Sequence, residues 1–554
     1  MKVTRLFITL IVFIVAAGTL MGSGGGTAIG GFRSILPPLL AILLALISRE
    51  VILALLGGIW LGASYLADGH VGLGLLRTLD HHLVNSLADS DHAFILLFSL
   101  TLGGMVGIIG ASGGAAGIVK KVGRWAKSPR SGQISCWAMG LLIFFDDYAN
   151  TLVVGNTFRP LTDKLRISRE KLSFIVDATA APVASIALIS TWIGFEVGLI
   201  ADGLVPSGAL SDSTEAYGLF IQTIPYRFYP LFMLLLVFMI GFWNRDFGPM
   251  LTAERRCRTT GQVLREGAAP LGGTEELDTT RVSVTEQSWL WGIIPVLTVI
   301  IATLAGLYFE GKASLGAEAE DAAIYTIISS ANSFAVLMWA AFMGSVTAGL
   351  LATWGAKLSV AATVRAFVDG IKAMTAAAIV LILAWAIGGI CRDLKTADYV
   401  VEISQGILAP QFIPAVTFVI SAVIAFATGT SWGTLSILMP IIAPIAYIFP
   451  IESGLSAGVS QGIMVSSVGA VLAGSVFGDH SSPISDTTIM SSMASGADHI
   501  DHVRTQIPYA LLAGAAALVF GYIPAGFGVS PWISLLVGGF AVVLTLRFVG
   551  KKVE

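Results

Sequence analysis

Long apolar runs alternate with short polar breaks along this chain, and the charges in the breaks set a direction for each run. Runs of about 20 apolar residues read as membrane-crossing helices, and an excess of Lys and Arg in short loops marks the cytoplasmic side. Lys120, Lys121, Arg124, Lys127 and Arg130 form one basic, acid-free loop, and Arg159 to Lys171 is a second basic loop. Only one apolar segment, Gly132 to Phe158, lies between them. A segment with cytoplasmic loops at both ends cannot cross once, so it is predicted to enter and return as a re-entrant hairpin or two short half-helices.

The same arithmetic carries through the rest. Leu172 leads outward to a stretch free of Lys and Arg, Asp202 to Tyr217, and Pro230 to Trp243 returns. Arg245 to Gln287 is long, polar and Arg-bearing, and reads as a cytoplasmic linker. Spans are predicted near 289–308, 331–355 and 367–391. The acid-rich loop Glu310 to Asp321 is placed outside, and Lys357 and Arg365 inside. Phe412 to Ile448, flanked by two loops assigned outside, forms a second hairpin. Spans near 507–525 and 530–548 leave Lys551 and Lys552 inside, so the C-terminus is cytoplasmic.

Two segments recur. Tyr148 to Leu152 with Pro160 beyond matches Ser431 to Leu435 with Pro440 and Pro444 beyond, and Asp177 to Pro182 matches Gly478 to Pro483. Hairpin, broken helix and closing span follow in the same order in each half, but the hairpins enter from opposite sides. That is an inverted-topology repeat, which places a substrate site near the midplane where the broken elements meet. The expected fold is an all-α polytopic membrane protein of about 11 to 12 crossings. Residues 34–244 form the first repeat, 245–287 the linker and 288–554 the second repeat. Symmetry also favours a double crossing over Ile35 to Leu66, turning at Arg49-Glu50, over one long tilted helix. Residues 1–33 contain the apolar run Leu6 to Met21, which reads equally as a signal peptide or as an uncleaved first span.

Composition narrows the class. The 554 residues are 55% hydrophobic and 12% charged, and no polar block is long enough for a soluble domain. The net charge of −3 argues against nucleic acid as a partner. Three scattered cysteines give neither a disulfide framework nor a metal spacing.

Within this apolar background one stretch stands out: Gly478-Asp479-His480-Ser481-Ser482-Pro483-Ile484-Ser485-Asp486-Thr487-Thr488. Ionisable groups at membrane depth cost several kcal/mol and usually mark an ion or substrate pathway. A proline there frees backbone carbonyls, which is tolerated where the broken helix lines a cavity or is covered by protein. Asp479 and Asp486 share a face if the helix continues past the proline, and in the first half Asp177 lies five residues before Pro182. A carboxylate taken out of water holds its proton more tightly, so such a site can exchange a proton for a cation. His480 is a candidate pH sensor, or simply a donor to a neighbouring serine.

The hairpins contribute the other candidates. Asp146 and Asp147 are adjacent and so face different directions on a helix: one is free to coordinate or titrate while the other caps or pairs. Asn150, Thr151, Thr430, Ser431, Gly433 and Thr434 look like hairpin tips, whose carbonyls, amides and hydroxyls suit a small hard cation. Ser481, Ser482, Ser485 and Thr487 add hydroxyls. Asn150, Asp177, Ser431, Asp479 and Asp486 are the proposed Na+ ligands. Glu196 faces an external vestibule or ends its span. Asp80-His81-His82, Asp89 to His92 and Asp498 to His502 read as solvated turns. Gly103 and Gly107 read as helix packing. Gly429 to Gly433 fits a G-x-S-x-G pattern but lacks the strand–turn–helix context of a nucleophile, so transport rather than catalysis is expected.

At Phe144 to Thr151, Asp177 to Pro182, Gly429 to Thr434 and above all Gly478 to Thr488, the chain resembles the NhaC-type sodium/proton antiporter family of the ion-transporter superfamily. The resemblance covers most of the chain from about Ile35 onward. It implies a secondary active transporter of the bacterial inner membrane that works by elevator-like alternating access. It also implies a homodimer, with Na+ and H+ as transported or coupling ions and no other cofactor. The family also contains organic-solute carriers, so a sodium-coupled carrier of an amino acid or dicarboxylate is the alternative. Trp432 departs from the Ser-Asn-Thr tips of related carboxylate carriers.

Overall fold

The computed structural model describes residues 29, 31–48, 50–123, 125–270, 288–320, 327, 331–404 and 408–553, so the apolar run Leu6 to Met21 lies outside the described residues. The described chain is helical apart from one short antiparallel ladder, in which Arg245–Asp246 pairs with Lys551–Lys552. Among these residues nine helices are long and apolar enough to cross a membrane, or up to eleven if two bent pairs are each one span. The late spans fall where the apolar pattern puts them, at Leu290–Leu315, Val360–Asp393, His499–Gly526 and Pro531–Val549.

The chain does break near Glu50: Leu36–Ser48 and Val51–Leu66 are separate helices packed on each other. At about 1.5 Å per residue they are roughly 20 and 24 Å long, shorter than the ~30 Å of a full crossing. The second then turns by 117° into Val71–Ala88.

The first hairpin consists of Pro129–Leu142 and Asp147–Lys164, and the second of Ile413–Thr428 and Ser431–Glu452. Ser128 starts the first arm with a reciprocal capping box to Ser131. Each hairpin leans on the broken helix of its own half. In the first half Arg169–Ala178 stops before Pro182, and a Cβ added at Gly140 would lie 2.1 Å from Thr179 Oγ1. In the second half Ala457–Ser481 and Asp486–Ser495 flank the Pro483 break. There Gly429 turns the chain at φ +71°, and a Cβ on it would lie 2.8–2.9 Å from Ile484. Only glycine meets both demands, so the tip sits directly on the unwound turn.

The segment expected as a linker is partly folded. Gly248–Thr260 is a helix docked on the start of Arg169–Ala178: Glu254 accepts from the Ser168 amide at 2.8 Å, Arg256 pairs with Glu170 at 3.0 Å, and Lys171 pairs with Asp246. The charges that make this stretch look like a free loop are used in pairing.

Candidate functional site

Helix ends from both halves converge on one small cavity of about 120 Å³. Its lining includes Asp147, Tyr148, Thr191, Thr430, Trp432, Asp479, Asp486 and Thr487. Asp147 and Asp486 open the helices Asp147–Lys164 and Asp486–Ser495, Thr430 caps Ser431–Glu452, and Asp479 lies in the last turn of Ala457–Ser481. Two of the carboxylates therefore meet the positive ends of helix dipoles, which favour negative charge there.

Asp479 is 2% exposed and firmly oriented. Its Oδ2 accepts from Ser431 Oγ at 3.0 Å and its Oδ1 from Ser485 Oγ at 2.6 Å. Ser485 in turn lies 2.9 Å from Thr487 Oγ1. A hairpin tip and an unwound turn thus hold one carboxylate between them. Asp486 sits at the mouth, where the Tyr148 hydroxyl donates to it. None of the described lining residues is a lysine or arginine. Three carboxylates around so small a space repel one another, and a bound proton or metal cation relieves that repulsion.

The adjacent acids do divide their directions: Asp147 lines the small cavity, and Asp146 lines a wider one of about 990 Å³ between the helices Ser90–Ala111 and Val360–Ala373. Tyr148 belongs to both cavities.

Several predicted residues lie elsewhere. The first tip is the non-helical stretch before Asp147, so Asn150 and Thr151 are one turn inside the helix, fully buried. Asn150 Nδ2 donates to the carbonyls of Gly140, Ile143 and Thr179 at 2.7–3.1 Å, tying the hairpin to the first broken helix. Gly433 donates its amide to the Thr430 cap, and Thr434 donates back to the Thr430 carbonyl. Ser481 donates to its own helix at the Phe477 carbonyl, while Ser482 donates to Phe426 in the hairpin arm. These hydroxyls satisfy backbone groups that the breaks leave open, a role that composition cannot separate from ligation.

Asp177 is also outside the cavity. Its Oδ2 accepts from Gln506 Nε2 at 2.7 Å and lies 3.3 Å from His502 Nε2, in a fully buried group. Gln506 also donates to the carbonyl of His480, and the His480 ring meets the Tyr229 hydroxyl at 2.6 Å rather than a serine. His502, read as part of a solvated turn, is fully buried because the helix capped by Asp498 turns it inward. Likewise His92 is no solvated-turn residue, since it meets Asp202 at 3.1 Å and stacks on Trp385. Glu196 is fully buried in an ion pair of 3.0 Å with Arg227, which also donates to the Ser185 carbonyl beyond the Pro182 break.

Residues 183–527, more than half of the chain, match the family described as the Na+/H+ antiporter family. The chain belongs to that family. An uncharacterized protein of Haemophilus influenzae is 31% identical over 526 residues, covering 94% of this chain and 95% of that one. The Na(+)/H(+) antiporter NhaC of Alkalihalophilus pseudofirmus is 25% identical over 160 residues, 28% of this chain and 32% of its own. The malate-2H(+)/Na(+)-lactate antiporter of Bacillus subtilis is 31% identical over 150 residues, 26% of this chain and 28% of its own. This family member is accordingly a multi-pass membrane protein and a secondary transporter, and the sodium/proton antiport expected from its motifs agrees with the family.

Tyr148, Thr191, Gln506, Tyr229 and Arg227 are the participants that motif reasoning missed. Arg227 carried a signal: an arginine in an otherwise apolar stretch needs a buried partner, and Glu196 was available. Tyr148 and Thr191 carried none, because an aromatic or a threonine in an apolar segment is ordinary packing.

Proposed function

We propose that this transporter exchanges Na+ for H+ at the Asp147–Asp479–Asp486 cavity. Either cargo neutralises the same carboxylates, so binding one disfavours the other, and that competition is the coupling. Ser431, Ser485, Thr430 and Thr487 supply neutral oxygens beside the acids, a hard-oxygen set suited to a small cation. The observation that carries this reading is Asp479 itself, a buried carboxylate held by two hydroxyls with no lysine or arginine among the described residues lining its cavity.

The inverted pattern supports two repeats, and the family resemblance supports the rest of the organisation we propose. Two repeats, 34–244 and 288–554, alternate the cavity between the two sides by elevator-like movement in a homodimer. The protein sits in the bacterial inner membrane with its C-terminus in the cytoplasm. The test is Na+-driven proton movement in proteoliposomes carrying a trapped pH-sensitive dye. Wild type should show it, and Asp479→Asn retaining full movement would refute the assignment.

A second reading rests on the wider cavity. At about 990 Å³, with Arg365 and Asp369 in its wall, it exceeds what a lone cation needs, and the Bacillus subtilis relative is named for malate and lactate. On that reading the protein is a sodium-coupled carrier of a small organic acid or amino acid. Na+-dependent uptake of labelled malate, lactate or arginine would favour it, and proton movement without any organic solute would favour antiport.

A further inference from the structure

The two cavities are neighbours that share lining residues. Tyr148, Ala373 and Met374 are the residues common to both linings. Of these, Tyr148 alone carries a hydroxyl, and it donates that hydroxyl to Asp486. The contact joins the first turn of the first hairpin's second arm to the first turn after the Pro483 break, so it bridges the two halves at the mouth of the smaller cavity. Behind it the two helices run together, and a Cβ added at Gly155 would lie 2.6 Å from Ala494 Cβ. That close packing leaves the two backbones little room to part, so the Tyr148 side chain is the candidate to move.

We propose that the Tyr148–Asp486 contact is a side-chain gate between the wide vestibule and the cation cavity. The inference rests on the cation reading of that cavity. Rotating the Tyr148 ring away joins the two spaces without moving a helix. A cation arriving at Asp486 competes with the Tyr148 hydroxyl for the same carboxylate, so occupancy and gate position are linked. Met374 forms the opposite jamb. It is itself held against the Ser90–Ala111 helix, where a Cβ added at Gly103 would lie 2.4 Å from its Cγ. Tyr148 is thus a positioning residue that decides when the site communicates with the vestibule.

The gate can be read by accessibility. Thr191 lines the small cavity but not the large one, and the native cysteines Cys136, Cys257 and Cys391 are buried. In inside-out vesicles, Thr191→Cys is labelled with a membrane-impermeant thiol reagent, with and without Na+. The rate is compared in the Tyr148, Tyr148→Phe and Tyr148→Ala backgrounds. Losing the hydroxyl in Tyr148→Phe should speed labelling about tenfold, and Tyr148→Ala at least as much. Unchanged rates in both overturn the gate, and so does acceleration by Tyr148→Ala alone, which would make the ring and not the hydroxyl contact the barrier. Failure of Na+ to slow labelling in any background refutes the cation reading, and the tyrosine comparison still decides the gate separately.

Discussion

Ser431 Oγ donates a 3.0 Å hydrogen bond to Asp479 Oδ2 across 48 residues of sequence, fastening the tip of the second hairpin to the end of a broken helix. The other Asp479 oxygen is taken by Ser485 at 2.6 Å. Hydrogen bonds to charged groups contribute about 1.5–3 kcal/mol. Ser485→Ala should therefore weaken apparent Na+ affinity roughly 10-fold or more, and Ser431→Ala similarly. The Na+ dependence of proton movement in proteoliposomes measures both, and unchanged half-saturation in both variants would remove the serines from the site.

Gly429 should not tolerate a side chain. Gly429→Ala combines a left-handed backbone at φ +71° with a Cβ 2.8 Å from Ile484, and a strained substitution of this kind costs more than about 1 kcal/mol. The thermal unfolding midpoint of the detergent-solubilised protein should drop by about a degree or more. An unshifted midpoint would mean that the tip does not press on the broken helix.

The Glu196–Arg227 pair predicts an asymmetry. Breaking a buried pair by removing one partner costs about 3–5 kcal/mol, whereas replacing both with apolar residues is often near neutral. Glu196→Leu or Arg227→Met alone should lower folded yield sharply, and the double variant should recover much of it. A double variant no better than Arg227→Met alone would point to the Ser185 carbonyl contact as the larger effect.

Gln506 should act on transport at a distance. It donates to both Asp177 and the His480 carbonyl, so it steadies the turn that carries Asp479. Gln506→Leu should raise the Na+ half-saturation about tenfold with less effect on maximal rate. A direct ligand role for Asp177 predicts a different pattern: Asp177→Asn abolishes Na+ dependence while Gln506→Leu leaves it intact.

One pH effect lies outside the spans. Burial pushes the Asp498 carboxyl up, but bonds from the amides of Ala269, Asp501 and Ile500, with Arg265 nearby, more than offset this and hold it below its usual value. A depressed carboxyl stabilises the fold fully above the unfolded value of about 3.9 and loses that contribution as pH falls through the folded value. The thermal-stability advantage of wild type over Asp498→Asn should persist from neutral pH to about pH 4 and shrink below it. An advantage that instead grew on acidification would contradict this.

Much of the architecture was legible because the bilayer imposes it. Basic loops at both ends of Gly132 to Phe158 predict a return, and the chain does break between the helices Pro129–Leu142 and Asp147–Lys164. The repeated acid-then-proline pattern located both broken helices. What could not be read was the direction of each hydroxyl. Ser485 and Ser482 are three residues apart in one unwound turn, yet one holds Asp479 and the other closes a backbone carbonyl of Phe426. Asp177 and Asp479 each precede the proline of a broken helix but point into different surroundings, because Gln506 and His502 from the later helix His499–Ala516 claim the first of them. The recurring sequence pattern locates the breaks, and the helix packed against each one decides where its side chains go.

The central claim is that one set of carboxylates holds either a proton or Na+, and proton release on Na+ binding tests it most directly. Purified protein in weakly buffered detergent solution near neutral pH, with a pH-sensitive dye, is titrated with NaCl against choline chloride. Wild type should acidify the solution saturably on Na+ addition, and Asp479→Asn should not. Acidification of equal size in Asp479→Asn, or none in wild type that still binds Na+, would contradict the claim.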